Sequence, residues 1–392
     1  MTKAIFRPMK LVSRIFMALA FLGLALPVLA DPGVSDTTIT LGMSAPLSGP
    51  NAAYGLDMRQ TIETYFDSVN KRGGVHGRKL ELEVLDDGYE TDRAVANTKT
   101  LIEEKQVFAL IGFYGSSPTT EAMNKVFGPA RVPLVGTISG AGSLREPLST
   151  NPNARYMFNV RTSYADETAV IVKHLVGVGI SRIAVFYQND GFGKSGLDGV
   201  NAALSEYQLK PVAVGTVERN SVDVTKAVDV IAKTHAQAVI MVTLYKPTAA
   251  FIRAMKKVGE NPMYMALSPV GTEQLVHELG DINPRGLGIS QVVPYPWSAS
   301  LAVVREYQKL VAKPAQYSYY GLEAYLTART MVEGLNRIPP GAPPTRERLI
   351  TALESLNAKD FGGFKISYSP TSRSGSSFVE LTVLAADGKL HK

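Results

Sequence analysis

The 392-residue chain contains no cysteine. That excludes disulfides, thiolate metal sites, cysteine nucleophiles and redox pairs. It also removes the thiol that would carry a lipid anchor at a processed terminus. Histidine is scarce: His76, His174, His235, His277 and His391 are scattered, with no metal-ligand spacing. There is no Gly-x-Ser-x-Gly elbow. Neither a metal site nor a catalytic residue is expected. Long apolar runs are missing too. The longest, residues 15–26, is about 12 residues, against the roughly 20 a membrane-spanning helix needs.

That run belongs to a distinctive first segment. Residues 1–30 hold Lys3, Arg7, Lys10 and Arg14 and no acid, and they end Val28-Leu29-Ala30 before Asp31. A basic head, a short apolar middle and a small-residue end describe an export signal, cleaved after Ala30. The expected destination is the periplasm. The whole chain has 41 basic and 35 acidic residues. Without the four basic residues of the signal the balance is 37 to 35, so a nucleic-acid partner is not expected. The 362 residues after Ala30 suggest about two domains. They can bury a sizeable core without covalent help.

What is present is a regular alternation. Residues 39–43, 79–85, 107–111 and 132–135 read as strands, and 55–70, 91–104 and 118–131 as helices. On 55–70, Met58, Ile62, Tyr65, Phe66 and Val69 share one face. This series predicts a parallel sheet covered by helices on both faces. After a turn at 151–155 a second series follows, with strands at 182–187, 212–217, 238–242 and 263–267 and helices between them. The last hundred residues break the rhythm, with helices at 300–311, 319–336 and 346–356 and a strand at 378–384. They are too irregular for a third domain and should complete the other two.

Two loops stand out. Gly112 to Thr120 follows an apolar strand and opens a helix, and it offers the hydroxyls of Ser116 and Ser117. Hydroxyls beside free N–H groups suit a carboxylate. Ordinary N-capping by serine is the alternative. Gly136 to Ser143 is a second loop of this kind and carries Ser139, Gly140 and Ala141. Sequential parallel strands bring both loops to one sheet edge, where α/β proteins bind ligands. Aromatic residues recur at strand ends or in loops: Tyr54, Tyr89, Tyr114, Phe192 and Tyr245. Each could wall a small ligand or fill a core. Gly191-Phe-Gly-Lys-Ser-Gly196 matches a dinucleotide fingerprint. Three residues separate it from the strand, and no acid ends the next strand at the usual spacing. No cofactor is expected. Asp86-Asp87 reads as a strand-end turn rather than an acid/base pair.

The run of motifs resembles the leucine/isoleucine/valine-binding receptors of ABC transporters. The marks are Ser44-Ala-Pro-Leu-Ser-Gly-Pro50, Asn70 to Arg78, Asp86-Asp87, Ser116-Ser117, Asp190-Gly-Phe-Gly193 and Glu323-Ala324. The resemblance implies a type I periplasmic binding fold: two doubly wound parallel-sheet α/β lobes joined by three crossovers. Residues 31–158 plus 290–362 would form one lobe, and 159–289 plus 363–392 the other. It implies a carboxylate held by Ser116 and by Ser139 to Ala141. Tyr54, Phe192 and Tyr245 would line the cleft, with Ser268 on the closing lobe. Amino-acid binders carry an acid for the ammonium after the strand matching 263–267, where this chain reads Leu267-Ser268-Pro269. Both amino acids and aromatic or other organic acids therefore remain as ligands. A monomer that docks on an inner-membrane permease is the expected functional form. A ligand-sensing domain and an exported α/β enzyme are the alternatives.

Overall fold

The computed structural model describes residues 1–2, 31–280, 282, 286–385 and 390–391. Residues 3–30, which hold the expected export signal, lie outside the described residues. Among the described residues no helix is long and apolar enough to cross a membrane.

The first lobe is built on strands β1 (Thr38–Ala45), β2 (Lys79–Asp86), β3 (Ala109–Tyr114), β4 (Leu134–Ile138) and β5 (Met157–Phe158). They form one parallel sheet in the order β2-β1-β3-β4-β5. The central strand β3 is buried along its whole length, as a parallel strand covered on both faces must be. Helices α1 (Ala52–Asn70), α2 (Thr91–Glu103) and α3 (Ser116–Ala122) alternate with the strands. On α1 the face that meets the core holds Tyr54, Met58, Ile62, Phe66 and Val69. Tyr65 lies at its margin, its ring edge-on to Tyr325 at 5.3 Å. The run expected as one helix over 118–131 instead begins at Ser116 and widens into a π-helical turn, Met123–Phe127.

The chain then crosses to a second sheet. In chain order come α4 (Tyr164–Gly177), β6 (Ile183–Gln188), α5 (Gly191–Ser205), β7 (Val214–Val217), α6 (Thr225–Ala232), β8 (Ala238–Val242), α7 (Tyr245–Lys257), β9 (Met263–Ala266), α8 (Thr272–Leu279) and β10 (Leu287–Gln291). After β10 the chain returns. Helix α9 (Ala302–Val311) packs on α1, and α10 (Tyr319–Asn336) packs on α1, β3 and β4. Helix α11 (Arg346–Glu354) and the small hairpin β11 (Lys359–Asp360) and β12 (Lys365–Ile366) follow. A third crossing brings β13 (Glu380–Leu384) antiparallel beside β10, and β14 (Leu390–His391) beside β13. The second sheet runs β14-β13-β10-β9-β8-β6-β7. The irregular last hundred residues are thus distributed between both sheets.

Parallel strands put their carboxyl ends on one edge. Here those edges face each other. Segments after β1 and β2 meet the end of β6 and the loops after β7, β8 and β9 through direct hydrogen bonds. Tyr54 Oη donates to the Val270 carbonyl at 2.8 Å, and Tyr245 Oη to that of Pro50 at 2.7 Å. Gln188 Nε2 donates to Tyr89 Oη at 3.0 Å, and Arg219 Nη1 to Thr91 Oγ1 at 2.7 Å. The two lobes stand closed upon one another.

Candidate functional site

Between the edges lies a buried cluster of rings and hydroxyls. Strand β3 ends at Tyr114, and Gly115 follows with φ +92° as the N-cap of α3. A Cβ at Gly115 would sit 2.5 Å from the Tyr89 ring, so both conformation and space call for glycine. Ser116 therefore opens the helix instead of capping it, and neither Ser116 nor Ser117 makes a side-chain cap bond. The capping alternative fails for both residues. Ser116 Oγ shares a 2.8 Å hydrogen bond with Ser139 Oγ and approaches Tyr164 Oη at 3.5 Å. All three residues are buried. Ser139 Oγ also accepts the Ala141 N–H at 3.2 Å. The Gly140 carbonyl accepts the Tyr164 N–H at 2.8 Å. A Cβ on Gly140 would strike the Tyr164 ring at 2.5 Å.

Ser117 does something else. Its hydroxyl accepts the Gly191 N–H of the other lobe at 3.0 Å, which makes it a latch. Gly191 starts α5, and Asp190 Oδ1 caps that helix by accepting from Phe192 and Gly193. A phosphate at this glycine motif would meet a carboxylate already bonded to the N–H groups it needs. Asp86 and Asp87 hold turns, as expected. Asp86 accepts from the N–H groups of Leu47, Ser48 and Gly88. Asp87 accepts from Ser44 Oγ and from the Tyr89 N–H.

All five aromatic residues singled out in the sequence reach the cleft. Tyr54 stacks on Tyr114 at 5.3 Å and meets Tyr245 edge-on at 5.6 Å. Tyr89 meets Tyr114 edge-on at 5.3 Å. Phe192 lies 5.2 Å from Tyr164. Two rings were not anticipated: Tyr164, and Tyr320, which stacks on Tyr54 at 4.7 Å. Tyr320 sits on α10, whose burial on nearly every face hides a cleft residue among core residues.

The charged groups were also missed. Arg145 is half-buried behind the Ser139 loop, where it donates to the carbonyls of Ser139 and Ala141 at 3.3 and 3.0 Å and to those of Arg161 and Thr162. Burial, with Arg161 nearby, lowers its pKa to about 10, so it stays charged at neutral pH. Arg161 lies on the first crossing between lobes and is 1% exposed. Its Nε stands 3.3 Å from Glu323 Oε1 of α10, and its Nη2 stands 4.0 Å from Glu167 Oε1 of α4. Nη2 also donates to Ser268 Oγ. Burial pushes the Glu323 carboxyl up to about 7, against the pull of Arg161. Glu167 accepts from Ser268 N at 2.9 Å, Ser268 Oγ at 3.1 Å and Ser290 Oγ at 2.6 Å. An arginine at the end of the mostly apolar stretch Tyr156-Met-Phe-Asn-Val-Arg161 was the signal available in the sequence.

The comparisons with known proteins fit this geometry. Residues 38–387 match the periplasmic binding protein family model. The chain belongs to the periplasmic binding protein family. This binding protein is 32% identical to a possible leucine/isoleucine/valine-binding protein from Rhodopirellula baltica. The TM-score is 0.82, over 91% of this chain and 96% of that one. It is 30% identical to a substrate-binding periplasmic protein from Ralstonia solanacearum, with TM-score 0.82, over 90% and 99% of the two chains. An amino acid binding protein of Pseudomonas aeruginosa is 26% identical over 66% of each chain. The chain thus spans about two thirds of that curated relative's length. The match is to solute-binding proteins and not to an enzyme family.

A pair of acids spans the closed interface of this binding protein. Asp57 on α1 accepts from Ser318 Oγ at 2.5 Å, and Glu273 on α8 accepts the Tyr319 N–H at 3.3 Å. Burial raises their pKa values to about 6 and about 7, and Asp57 adds like-charge repulsion at Glu273. An acid whose pKa is raised by folding contributes stability at low pH, and that contribution is lost as pH rises through the raised value. Asp57→Asn keeps an acceptor for Ser318 and removes the charge. It should stabilise the protein at pH 8 by on the order of 2 kcal/mol and do little near pH 4. Urea denaturation at both pH values checks this, and an equal effect at both would show that the Asp57 charge is irrelevant.

Proposed function

We propose that this protein captures a small carboxylate-bearing solute between its lobes and presents it to the permease of an ABC importer. The observation that carries the reading is the buried Ser116, Ser139 and Tyr164 hydroxyl cluster, which has no capping role and is backed by the Arg145 guanidinium. A carboxylate accepts such hydroxyls with charge assistance. Tyr54, Tyr114, Phe192, Tyr245 and Tyr320 then wall an apolar body. Gly140 and Ala141 shape the loop around the carboxylate, and Ser117 and Ser268 serve the closed state. The names of the Pseudomonas and Rhodopirellula relatives point to amino acids, which share the carboxylate with other organic acids.

The lobes divide near 158/159, just after β10 rather than at 289/290, and beyond the β11–β12 hairpin rather than at 362/363, because β10 stays in the second sheet to Gln291 and Lys359–Asp360 pairs with Lys365–Ile366. Solute would dock first on the Ser116 and Ser139 loops. The second lobe closes because contacts from Phe192 and Tyr245 exist only in the closed arrangement, and that difference in affinity drives the shift. The closed face is what a permease would read. The protein works outside the cytoplasm, after export.

Denaturing the purified protein and identifying the released solute by mass spectrometry tests this directly. A thermal-shift panel of leucine, benzoate and cinnamate accompanies it. The expected solute carries a carboxylate and raises the melting temperature by several degrees at saturation. A neutral sugar as the sole stabilising ligand would overturn the assignment.

A further inference from the structure

The second lobe also reaches the first at a turn outside the ring and hydroxyl cluster. After β7 the chain reverses at residues 218–221, closed by the Ser221 N–H on the Glu218 carbonyl at 3.1 Å. Asn220 stands there at φ +58°, a left-handed conformation that asparagine adopts more readily than most residues. The turn is braced from its own lobe. Asn189 Nδ2 donates to Glu218 Oε1 at 2.8 Å, and Arg219 Nε pairs with the buried Asp190 at 3.2 Å. Its tip goes to the other lobe. Asn220 Oδ1 accepts from Asn51 Nδ2 at 2.8 Å, and Asn220 Nδ2 donates to Glu90 Oε1 at 2.5 Å. Arg219 Nη1 donates to Thr91 Oγ1 at 2.7 Å, and its guanidinium lies 5.6 Å from the centre of the Tyr89 ring.

The position of this contact gives it leverage. The chain leaves the first sheet from β5, and β2, which leads to Tyr89, Glu90 and Thr91, is the opposite edge, four strand positions away. The chain leaves the second sheet from β10, and β7 is the edge four positions from it. At about 4.8 Å per strand, each half of the contact stands about 19 Å from the strand that feeds a crossing. Rotation about the crossings separates these far edges most, so the bonds between them belong to the shut state.

We infer that Arg219 and Asn220 form a clasp at the rim farthest from the crossings, which sets how long a solute stays bound without touching it. This rests on capture between the lobes as proposed above and adds what governs release. The affinity for a solute contains the free energy of closing as well as that of contact, and the closing part is common to every solute inside. The Ser116 and Ser139 loops and the rings act on contact, so they discriminate. Asn220 and its partner Asn51 act on closing, so they do not.

Stopped-flow kinetics test the inference, with the solute identified by mass spectrometry and with whichever of leucine, benzoate and cinnamate bind. Asn220→Gly keeps the left-handed turn and removes both amide bonds. Asn51→Ala removes one of those bonds from the first lobe, and its side chain does not cap α1. Arg219 is left in place because it neutralises the buried Asp190. Asn220→Gly should raise the release rate about three- to tenfold, by one factor for every solute, and change association less than about twofold. Asn51→Ala should act in the same direction, and the double variant should release no faster than Asn220→Gly alone. The solute-free Asn220→Gly protein should melt within about 2 °C of the parent, since the residue is exposed. Unchanged release in Asn220→Gly would overturn the inference. So would factors that differ between solutes, which would put Asn220 at the solute itself. So would single effects that multiply in the double variant, since the two side chains would then act apart. The capture reading fails separately, if the parent releases no small molecule on denaturation and binds none of the three probes.

Discussion

A Ser116→Ala/Ser139→Ala protein should fold and should bind its carboxylate ligand about a hundredfold or more weakly than the parent. Each hydroxyl offered to an ionised group contributes about 1.5–3 kcal/mol. Two such bonds lie within range of one carboxylate, because the oxygens are 2.8 Å apart. The losses will not simply add, since the hydroxyls bond each other in the free protein and each single variant leaves one of them unpaired. The cost to the fold is small. Neither serine caps a helix; the Ala141 N–H loses an acceptor and Tyr164 Oη loses its contact with Ser116. Calorimetry with the identified ligand and a melting curve of the unliganded protein separate the two effects. Retained affinity in the double variant would move the carboxylate elsewhere.

Arg161→Ala should carry the largest stability penalty of any single exchange in the cleft. It strips the positive charge from between Glu323 and Glu167, which are both buried. Breaking one side of a buried ionic cluster costs about 3–5 kcal/mol. The penalty should depend on pH. Glu323 already titrates near 7 because burial outweighs its partner, and without Arg161 its pKa rises further. A raised carboxyl favours the folded state below that pKa and disfavours it above. The variant should thus be closest to the parent near pH 5 and furthest from it at pH 8. Adding Glu323→Gln should recover part of the loss at pH 8. Urea denaturation of the parent and both variants at the two pH values measures this. A penalty independent of pH would show that Arg161 acts through packing alone.

Much of this architecture was legible in the sequence because its signals are local. Strand-helix alternation and the apolar face of α1 follow from spacing within a few residues. The Ser116 and Ser139 loops were legible from small residues after apolar strands. What was hidden depends on distance along the chain. Arg161 finds Glu323 on a helix that begins at Tyr319, and no local pattern links them. Tyr320 reads as core because α10 is buried on most sides, although one of its rings belongs to the cleft. Strand β5 has only two residues, too few for a period. The π-helical turn at Met123–Phe127 has no sequence signature comparable to a cap. Ser117 offers the same hydroxyl as Ser116, and only the closed pairing of lobes shows that it meets Gly191 instead.

The pairing of β13 with β10 has a consequence for how the molecule assembles. Leu287 lies opposite Leu384, so a strand near the middle of the second sheet waits for a partner almost a hundred residues later. The first sheet, contiguous from β1 to β5, still lacks α10 against β3 and β4 until the chain has left and returned. Such distant contacts raise contact order and slow folding, and closing the intervening loops costs chain entropy before any contact rewards it. Neither lobe can be cut out as one continuous stretch. The two lobes must therefore complete their folding together.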